Sequence, residues 1–261
     1  MILIHPSIDP VIVSFGFFQI RWYSLAYVAA FLFGTFLIKH FNTKSNSNLK
    51  NKLIDNFFVW SIIGVILGGR LGYVLFYQLE NFYYNPLYII YIWKGGMSFH
   101  GGLAGMILSI FLFCKKNDIN FFKLADLVSL VAPIGLFFGR IANFINSELI
   151  GRITDFPFAM IYPSIDNLPR HPSQLYEAFF EGIVLFIILF YIFFKSYQIK
   201  RYGLISGLFL LFYGIFRFSI EFLREPDEHI GLIFNFLTIG QLLCVPLVFF
   251  GLLILLKKTN D

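Results

Sequence analysis

Charged residues and cysteines are scarce in this sequence. Only 13% of its 261 residues are charged, whereas about a quarter are charged in an ordinary soluble domain. Hydrophobic residues make up 58% of the chain, so a water-soluble fold would lack the polar surface it needs. The two cysteines, Cys114 and Cys244, do not suggest a disulfide framework. The composition predicts an all-α polytopic membrane protein.

Patterns for metals, nucleotides and nucleic acids are also missing. The five histidines are scattered, without an HxxxH pair or paired carboxylates near them. Neither a P-loop nor a dinucleotide-binding fingerprint is present. The basic residues form no block of the kind that binds nucleic acid. The sequence therefore predicts no metal, no cofactor and no nucleic-acid partner.

Long apolar runs are abundant. Seven of them approach the roughly 20 residues that cross the hydrocarbon core of a bilayer. We expect a single transmembrane domain over residues 1–261, with spans at about 24–38, 56–77, 99–114, 124–144, 178–194, 203–222 and 233–256. Gly64, Gly68 and Gly72 follow at four-residue spacing in the second run, which predicts close helix packing. The Tyr- and Trp-rich segment 81–93 predicts an aromatic belt rather than a further span.

Lysine and arginine are unevenly distributed between these runs. Twelve of the twenty lie after the first, third and fifth runs or in the C-terminal tail. The positive-inside rule assigns that side to the cytoplasm. The N-terminus is then outside and the C-terminus inside, which requires an odd number of spans. Seven transmembrane helices meet this requirement.

The other eight basic residues are nearly all arginine. They are Arg21, Arg70, Lys94, Arg140, Arg152, Arg170, Arg217 and Arg224, whereas eleven of the twelve on the cytoplasmic side are lysine. A guanidinium binds phosphate or carboxylate through two parallel hydrogen bonds and stays charged when desolvated. This partition predicts an anion site toward the outer half of the membrane. For Arg21 and Arg170, snorkelling to outer headgroups is the alternative.

The stretch GRIANFINSELIGR concentrates polar residues at the end of the fourth run. On a helix that continues this run, Arg140, Asn143 and Ser147 share one stripe. Glu148 lies off the stripe, and we expect it in a turn past the helix end. Gly151 predicts tight backbone. Ionisable residues at membrane depth usually line a cavity, so a functional role is favoured over an Arg–Glu pair that only closes the helix.

A second polar stripe lies on the sixth run. Its members, spaced i, i+4, i+8 and i+11, are Tyr213, Arg217, Glu221 and Arg224. Arg217 and Glu221 can pair, so one interpretation is a self-neutralised structural ion pair. Two arginines against one glutamate leave a positive surplus, which favours a site for a ligand anion. Tyr213 lies a turn deeper and is a candidate hydrogen-bond donor.

Three further residues are candidates on weaker grounds. His100 lies among four glycines in GGMSFHGGLAG at the start of the third run, and an imidazole suits a proton acceptor. A lone histidine is nevertheless more often structural. Glu177, one turn before Glu181, is expected to orient an arginine or histidine. Tyr23 lies at the outer end of the first run, where an aromatic belt is the default interpretation.

Two helices that each present an arginine at this depth suit a phospholipid headgroup. Its phosphodiester is the commonest anion there, and the arginines would stabilise charge that develops on it as a leaving group. The residues alone do not indicate which bond of the phospholipid breaks. An organic-anion transporter is one alternative, although no inverted repeat is evident. A phospholipid hydrolase that needs no acceptor is the other.

The chain resembles bacterial prolipoprotein diacylglyceryl transferases over nearly its whole length. The matching stretches, in the family's order and spacing, are DPVIVSFG, WYSLAY, LGGRLGYVLFY, GGMSFHGGLAG, GRIANFINSELIGR, RHPSQLYE, FRFSIEFLREPD and GQLL. The resemblance implies transfer of the diacylglyceryl group of phosphatidylglycerol to the lipobox cysteine thiol of a prolipoprotein signal peptide. Glycerol phosphate would be released. It also implies a multi-pass protein of the bacterial cytoplasmic (inner) membrane that uses no cofactor.

The resemblance also implies roles for residues at matching motif positions. Arg140 and Arg217 resemble the family's essential, phosphatidylglycerol-binding arginines, and His100 resembles its proposed base for the acceptor thiol. The other matching positions are Tyr23, Asn143, Gly151, Glu148, Glu221 and Arg224. We expect Asn143 with Tyr213 or Tyr23 to donate further hydrogen bonds to the phosphodiester, and Glu148 to assist His100.

The sequence departs from the family's pattern at a few positions. Gly is usual in the family where Ala142 and Ser147 stand, and an aromatic residue is frequent where Ile150 stands. These changes would alter loop packing or acceptor preference. Because the ionisable residues are unchanged, we expect activity to be retained.

Overall fold

The computed structural model describes residues 3–15, 18–44, 49–196, 201–226 and 237–257, and helices dominate it. The α-helices are α1 (Trp22–Asn42), α2 (Asn51–Tyr77), α3 (Leu79–Tyr84), α4 (Phe99–Asn117), α5 (Phe121–Ile145), α6 (Ser173–Glu177), α7 (Leu185–Lys195), α8 (Leu204–Ile220) and α9 (Ile239–Leu256). A π-helical segment, Ala178–Val184, joins α6 to α7. Single π turns are frequent at functional sites.

Six helices in the described part of the chain are long and apolar enough to cross a membrane. They are Trp22–Asn42, Asn51–Tyr77, Phe99–Asn117, Phe121–Ile145, Ser173–Lys195 and Ile239–Leu256. Helix α8 is apolar but has only 17 residues. All seven predicted runs therefore overlap helices, although residues 233–236 of the last run lie outside the described residues. The helical polytopic membrane class is confirmed.

Short strands accompany the helices, and the sequence did not predict them. A three-stranded sheet has the order β1 (Leu3–Ile4), β4 (Met160–Ile161), β5 (Pro169–Arg170), with β1 parallel to β4 and β4 antiparallel to β5. A hairpin of β2 (Val11–Phe15) and β3 (Phe18–Arg21) precedes α1 directly. Two-residue strands are too short to show an alternating pattern, so sequence periodicity gives no signal for them.

The chain divides into two compact units, of which one is Ile38–Leu127. In this unit α2 packs against α4 through glycines. A Cβ atom added at Gly72 would lie 2.7 Å from the Cα of Gly101, and one at Gly68 would lie 2.8 Å from the Cα of Gly105. The close helix packing predicted from the glycine spacing is thus confirmed.

The segment between α2 and α4 contains no membrane-spanning helix. It consists of α3 and two 3-10 turns, Pro86–Ile90 and Ile92–Lys94. Tyr83, Tyr84 and Trp93 are 82%, 78% and 73% exposed. Such exposed aromatic side chains suit the predicted belt at the headgroup level.

Arg70 of α2 holds this segment in place. Its side chain is only 2% exposed. It donates hydrogen bonds to the carbonyls of Tyr88 (2.8 Å), Ile89 (3.3 Å) and Gly95 (2.5 Å), and it lies 4.9 Å from the centroid of the Tyr88 ring. Within the arginine set that the sequence singled out, Arg70 therefore binds backbone carbonyls.

The other unit comprises Met1–Leu37 and Val128–Asp261. Helices α8 and α9 pack closely at Gly251, where an added Cβ atom would lie 2.8 Å from the backbone nitrogen of Leu211. The π-helical segment approaches α5 at Gly182, where an added Cβ atom would lie 2.7 Å from the Cβ of Phe137. These contacts bring polar side chains of α5, α6, α8 and α9 together.

Candidate functional site

Arg140 lies near the end of α5 and pairs with two glutamates of the neighbouring helix. Its Nη1 is 3.0 Å from Oε2 of Glu177, and its Nη2 is 3.1 Å from Oε2 of Glu181. Its Nε also donates to Oε2 of Glu181, at 3.3 Å. Both glutamate side chains are fully buried, and that of Arg140 is 12% exposed. Two buried carboxylates therefore hold the guanidinium of Arg140 in position.

Arg217 of α8 pairs with the same Glu177. Its Nη1 donates to Oε1 of Glu177 at 2.5 Å, and its Nη2 lies 2.5 Å from Oε2 of Glu221. Arg224, just past the end of α8, is 3.8 Å from Oε1 of Glu177. Glu177 thus connects three arginines from two parts of the chain. The expectation that Glu177 orients an arginine is confirmed.

The first turn of α9 contacts the network at Glu221. The hydroxyl of Thr238 donates to Oε1 of Glu221 at 2.9 Å, and Thr238 and Gln241 form a capping box at the start of α9. A Cβ atom added at Gly240 would lie 2.6 Å from Oε1 of Glu221. The Glu221 carboxylate therefore lies against a helix N-terminus, where the helix dipole favours negative charge.

The positive surplus predicted for the segment of Arg217 and Arg224 is balanced by a neighbouring helix. Two glutamates from the neighbouring helix, Glu177 and Glu181, supply counter-charges that a count along α8 alone leaves out. The sequence predicted an orienting role for Glu177 and no role for Glu181. A signal was available, because two glutamates at i, i+4 in an apolar helix need buried partners.

The turn that follows α5 has a different geometry from the predicted one. Helix α5 ends at Ile145, and Ser147 has a φ angle of +55°. Ser147 therefore cannot extend the stripe of Arg140 and Asn143, and that expectation is wrong. Its hydroxyl lies 3.4 Å from Nδ1 of the buried His5. Glycine adopts such a positive φ angle more easily than serine does.

Glu148 lies past the helix end, as predicted, and contacts asparagines. Its Oε2 accepts from Asn143 at 3.0 Å and its Oε1 accepts from Asn146 at 3.2 Å. The carbonyl of Glu148 accepts from the buried Gln174 at 2.6 Å. Among the described residues, neither Arg140 nor Arg152 forms an ion pair with Glu148. The Glu148 side chain instead orients Asn143.

Gly151 lies where three backbone segments meet. It forms a β-bridge with Arg224, and its N–H donates to the carbonyl of His171 at 3.0 Å. A Cβ atom added there would lie 2.6 Å from the Cβ of His171 and 2.8 Å from the carbonyl oxygen of Leu223. The prediction of tight backbone at Gly151 is confirmed.

The remaining arginines of the predicted set bind protein groups. Arg152 donates from Nε to the carbonyl of Arg224 at 3.0 Å. Arg170 pairs with Asp166 at 2.6 Å and Glu225 at 3.0 Å, and the Arg170 guanidinium holds the pKa of Asp166 below its ordinary value. The exposed Arg21 donates to Gln19 at 3.0 Å. Arg170 is thus engaged in ion pairs rather than only reaching for headgroups.

The two tyrosine candidates lie in different surroundings. Tyr213 is buried on α8, interacts electrostatically with Glu181, Arg140 and Arg217, and therefore lies beside the network. Tyr23, in the first turn of α1, has its ring 5.2 Å from that of Tyr27.

His100 belongs to the unit Ile38–Leu127, whereas the arginine–glutamate network belongs to the other unit. It is the second residue of α4, and Ser98 caps that helix by accepting from the N–H of Gly101 at 3.3 Å. The expected position of His100 at the start of an apolar helix is confirmed. Its role as a base stays a prediction.

Comparisons with known proteins agree on one family. A family model described as Prolipoprotein diacylglyceryl transferase matches residues 10–257. A phosphatidylglycerol–prolipoprotein diacylglyceryl transferase of Rickettsia felis is 52% identical over 246 residues, which cover 94% of this chain and 95% of the relative. The proteins of the same name from Rickettsia bellii and Rickettsia canadensis are 50% identical over 252 residues and 49% identical over 257 residues. These alignments cover 97% and 98% of this chain, and 96% and 99% of the two relatives.

Proposed function

The chain belongs to the prolipoprotein diacylglyceryl transferase family, and on that premise we propose how its buried arginines take part in the reaction. Its activity is the transfer of a diacylglyceryl group from phosphatidylglycerol to a prolipoprotein. We infer that the acceptor atom is the thiol sulfur of a lipobox cysteine in the signal peptide. The other product is then glycerol phosphate.

One observation carries this proposal. Arg140 and Arg217 approach each other from two helices because both bind Glu177, one on each carboxylate oxygen. Their remaining N–H groups are candidates to hold the phosphodiester of phosphatidylglycerol. A rigid pair of guanidinium groups stabilises negative charge that grows on the phosphate, at no cost of reorganisation during the reaction. Asn143, oriented by Glu148, and Tyr213 are the proposed further donors.

The proposed step is a substitution at carbon. The thiolate sulfur of the acceptor attacks the glycerol carbon that bears the phosphate, and the bond from that carbon to the phosphate ester oxygen breaks. The bonding electrons pass to the phosphate, which leaves with its headgroup glycerol. His100 is the proposed acceptor of the thiol proton, and Tyr23 is a proposed contact to the substrate. Gly151, Glu221 and Arg224 are proposed to maintain the shape of the phosphate site.

We also propose a topology for the chain in the bacterial cytoplasmic membrane. Helix α8, with 17 residues, would be the seventh span, because the distribution of lysine requires an odd number. The N-terminus would then be outside and the C-terminus in the cytoplasm. This topology gives the substrates an outer-leaflet location, which suits a signal peptide that has crossed the membrane.

The decisive experiment supplies both substrates to the purified protein. Phosphatidylglycerol and a lipobox peptide are incubated with it in detergent, and the peptide mass is measured. We expect an increase of one diacylglyceryl unit, and none with a peptide in which cysteine is replaced by serine. Diacylglycerol released without a peptide would instead indicate a hydrolase. Anion flux through liposomes without a lipid product would indicate a transporter.

Arg140→Lys tests whether the planar guanidinium of Arg140, rather than its charge alone, is needed. Lysine keeps the charge but cannot bind two oxygens in one plane. We expect turnover to fall at least about 100-fold, as for the loss of a transition-state donor. Arg21→Lys is the matched control, because Arg21 is exposed and bonds to Gln19. Full turnover by the Arg140→Lys variant would contradict the proposed clamp.

A further inference from the structure

The buried network is electrically balanced before any substrate binds. Its members in the described part of the chain are Arg140, Arg217 and Arg224 with Glu177, Glu181 and Glu221, and none of these side chains is more than 12% exposed. A phosphodiester would add one negative charge to this group. An uncompensated charge in poorly hydrated surroundings is costly. Binding therefore calls for either a further cation or a proton.

Glu181 differs from the other two carboxylates in its partners. Glu177 lies within ion-pair distance of three arginines, and Glu221 binds Arg217 and the hydroxyl of Thr238. Glu181 pairs only with Arg140 among the described residues, through Oε2. Its Oε1 is buried and accepts no hydrogen bond there. This oxygen is the one place in the network where a proton would displace no existing partner.

The surroundings of Glu181 are suited to reversible protonation. The groups that interact with it are Glu177 on its own helical segment, Arg140 on α5, Arg217 and Tyr213 on α8, and Cys244 on α9. The two arginines attract the negative charge of the carboxylate, whereas the carboxylate of Glu177 repels it. A phosphate bound to both arginines weakens their hold on the carboxylate, and the balance moves toward the acid.

We propose that Glu181 is a positioning residue of Arg140 that takes up one proton when the phosphodiester of phosphatidylglycerol binds. The proton comes from the solvent and goes to Oε1, while Oε2 keeps its contacts with Arg140. The phosphate then replaces the lost carboxylate charge, so the network stays neutral. When glycerol phosphate leaves, Oε1 loses the proton again. No covalent bond other than the O–H bond changes, and the inference rests on the proposed use of Arg140 as a phosphate-binding residue.

The first test measures KM for phosphatidylglycerol in a pH series. Since binding consumes a proton, KM of the unmodified protein is expected to rise about tenfold per pH unit on the alkaline side. In Glu181→Gln the site carries one extra positive charge from the start, so this rise is expected to disappear. Turnover at saturating lipid is recorded in the same series, so that an effect on KM is separated from an effect on kcat. A variant that keeps the rise in KM with the original slope would overturn the proposal.

Glu177→Gln is the matched comparison, one turn away on the same helical segment. Because Glu177 joins both arginines, we expect this variant to lose turnover at every pH rather than to lose only the pH dependence of KM. Identical behaviour of the two variants would mean that Glu181 has no separate role. Each variant is first checked for a monodisperse elution profile in detergent.

A second measurement needs no variant. The heat of phosphatidylglycerol binding to the unmodified protein is recorded in buffers that differ in ionisation enthalpy, which gives the number of protons taken up. We expect close to one proton per lipid, and none for diacylglycerol, which lacks the phosphate. Binding without proton uptake would overturn the inference. Proton uptake without transfer to the peptide would instead contradict the proposed function but not the inference about Glu181.

Discussion

Glu177 holds Arg140 and Arg217 on its two carboxylate oxygens, at 3.0 Å and 2.5 Å. The separation of two guanidinium groups on different helices is thereby fixed by the width of one carboxylate. Two cations this close repel each other, and an anion between them offsets that repulsion. The buried glutamate therefore assembles a pair of arginines that the helices alone would keep apart, and this pair is present before the substrate arrives.

Replacing Glu177 is expected to damage both stability and turnover. Glu177→Gln removes the negative charge and turns one of the arginine contacts into an N–H group that faces a guanidinium. Breaking a buried ion pair costs about 3–5 kcal/mol, and misplacing the clamp is expected to lower transfer at least about 100-fold. Thermal unfolding in detergent and the peptide assay measure the two effects. Glu225→Gln is the control, because its side chain is 46% exposed beside Arg170 and should matter little.

Gly151 provides a steric test of the loop beside the network. In Gly151→Ala the new methyl group would meet the Cβ of His171 at 2.6 Å and the carbonyl of Leu223 at 2.8 Å. Because these are neighbouring backbone segments rather than flexible side chains, the bridge to Arg224 must shift. We expect transfer to fall at least about tenfold, since small displacements of a site are costly.

Gly139→Ala is the matched control for this change. Gly139 is next to Arg140 on α5, and an added Cβ atom there has open space within 4 Å. Alanine also favours a helix more than glycine, by about 1 kcal/mol. We expect unchanged transfer and equal or higher stability. If both alanine variants behaved alike, crowding at Gly151 would not be the cause.

The sequence predicted the parts of the site that lie within one helix. Arg217 and Glu221 are one turn apart at the end of α8, so their pairing could be inferred from spacing alone. Arg224 was expected on the same helical stripe, which is wrong, because α8 ends at Ile220 and Arg224 forms a β-bridge with Gly151. The partners across helices could not be inferred, because spacing carries no information on which face meets which. Glu177 and Glu181 belong to such an inter-helix contact, and the π-helical segment that follows Glu177 changes the facing of the residues after it.

The arginine partition predicted the chemistry of these residues but not their partners. The guanidinium groups of Arg70, Arg140 and Arg217 each contact several oxygens at once, as expected from their planar geometry. For Arg140 and Arg217 the oxygens belong to glutamates, and for Arg70 they belong to carbonyls. The sequence could not distinguish a ligand anion from these internal acceptors. The positive φ angle of Ser147 was also out of reach, because no periodic pattern records the end of α5 at Ile145.

Arg70→Lys tests the role assigned to this arginine in the segment between α2 and α4. A lysine has a single nitrogen and cannot reach the carbonyls of Tyr88, Ile89 and Gly95 together. Buried carbonyls left without a donor cost about 1–3 kcal/mol. We expect faster amide hydrogen exchange and proteolysis in residues 79–96, with protection of α8 and α9 unchanged. Exchange that slowed or stayed equal in residues 79–96 would show that the carbonyl contacts do not hold the segment.

His171 makes the stability of the network's surroundings depend on pH. Burial lowers its pKa from the ordinary 6.5, so the folded protein favours the neutral ring, which lies 3.4 Å from the hydroxyl of Tyr176. A neutral ring in the folded state contributes stability above pH 6.5, and this contribution is lost as the pH falls through the lower folded pKa.

His171→Asn removes the titrating group and keeps the backbone carbonyl that binds Gly151. We expect the melting temperature of the unmodified protein to fall more steeply between neutral and mildly acidic pH than that of the variant. Asp166 cannot mimic this difference, because Arg170 holds its pKa below 3.8 and its own contribution is lost only in stronger acid. Parallel curves for the two proteins would remove His171 as the cause.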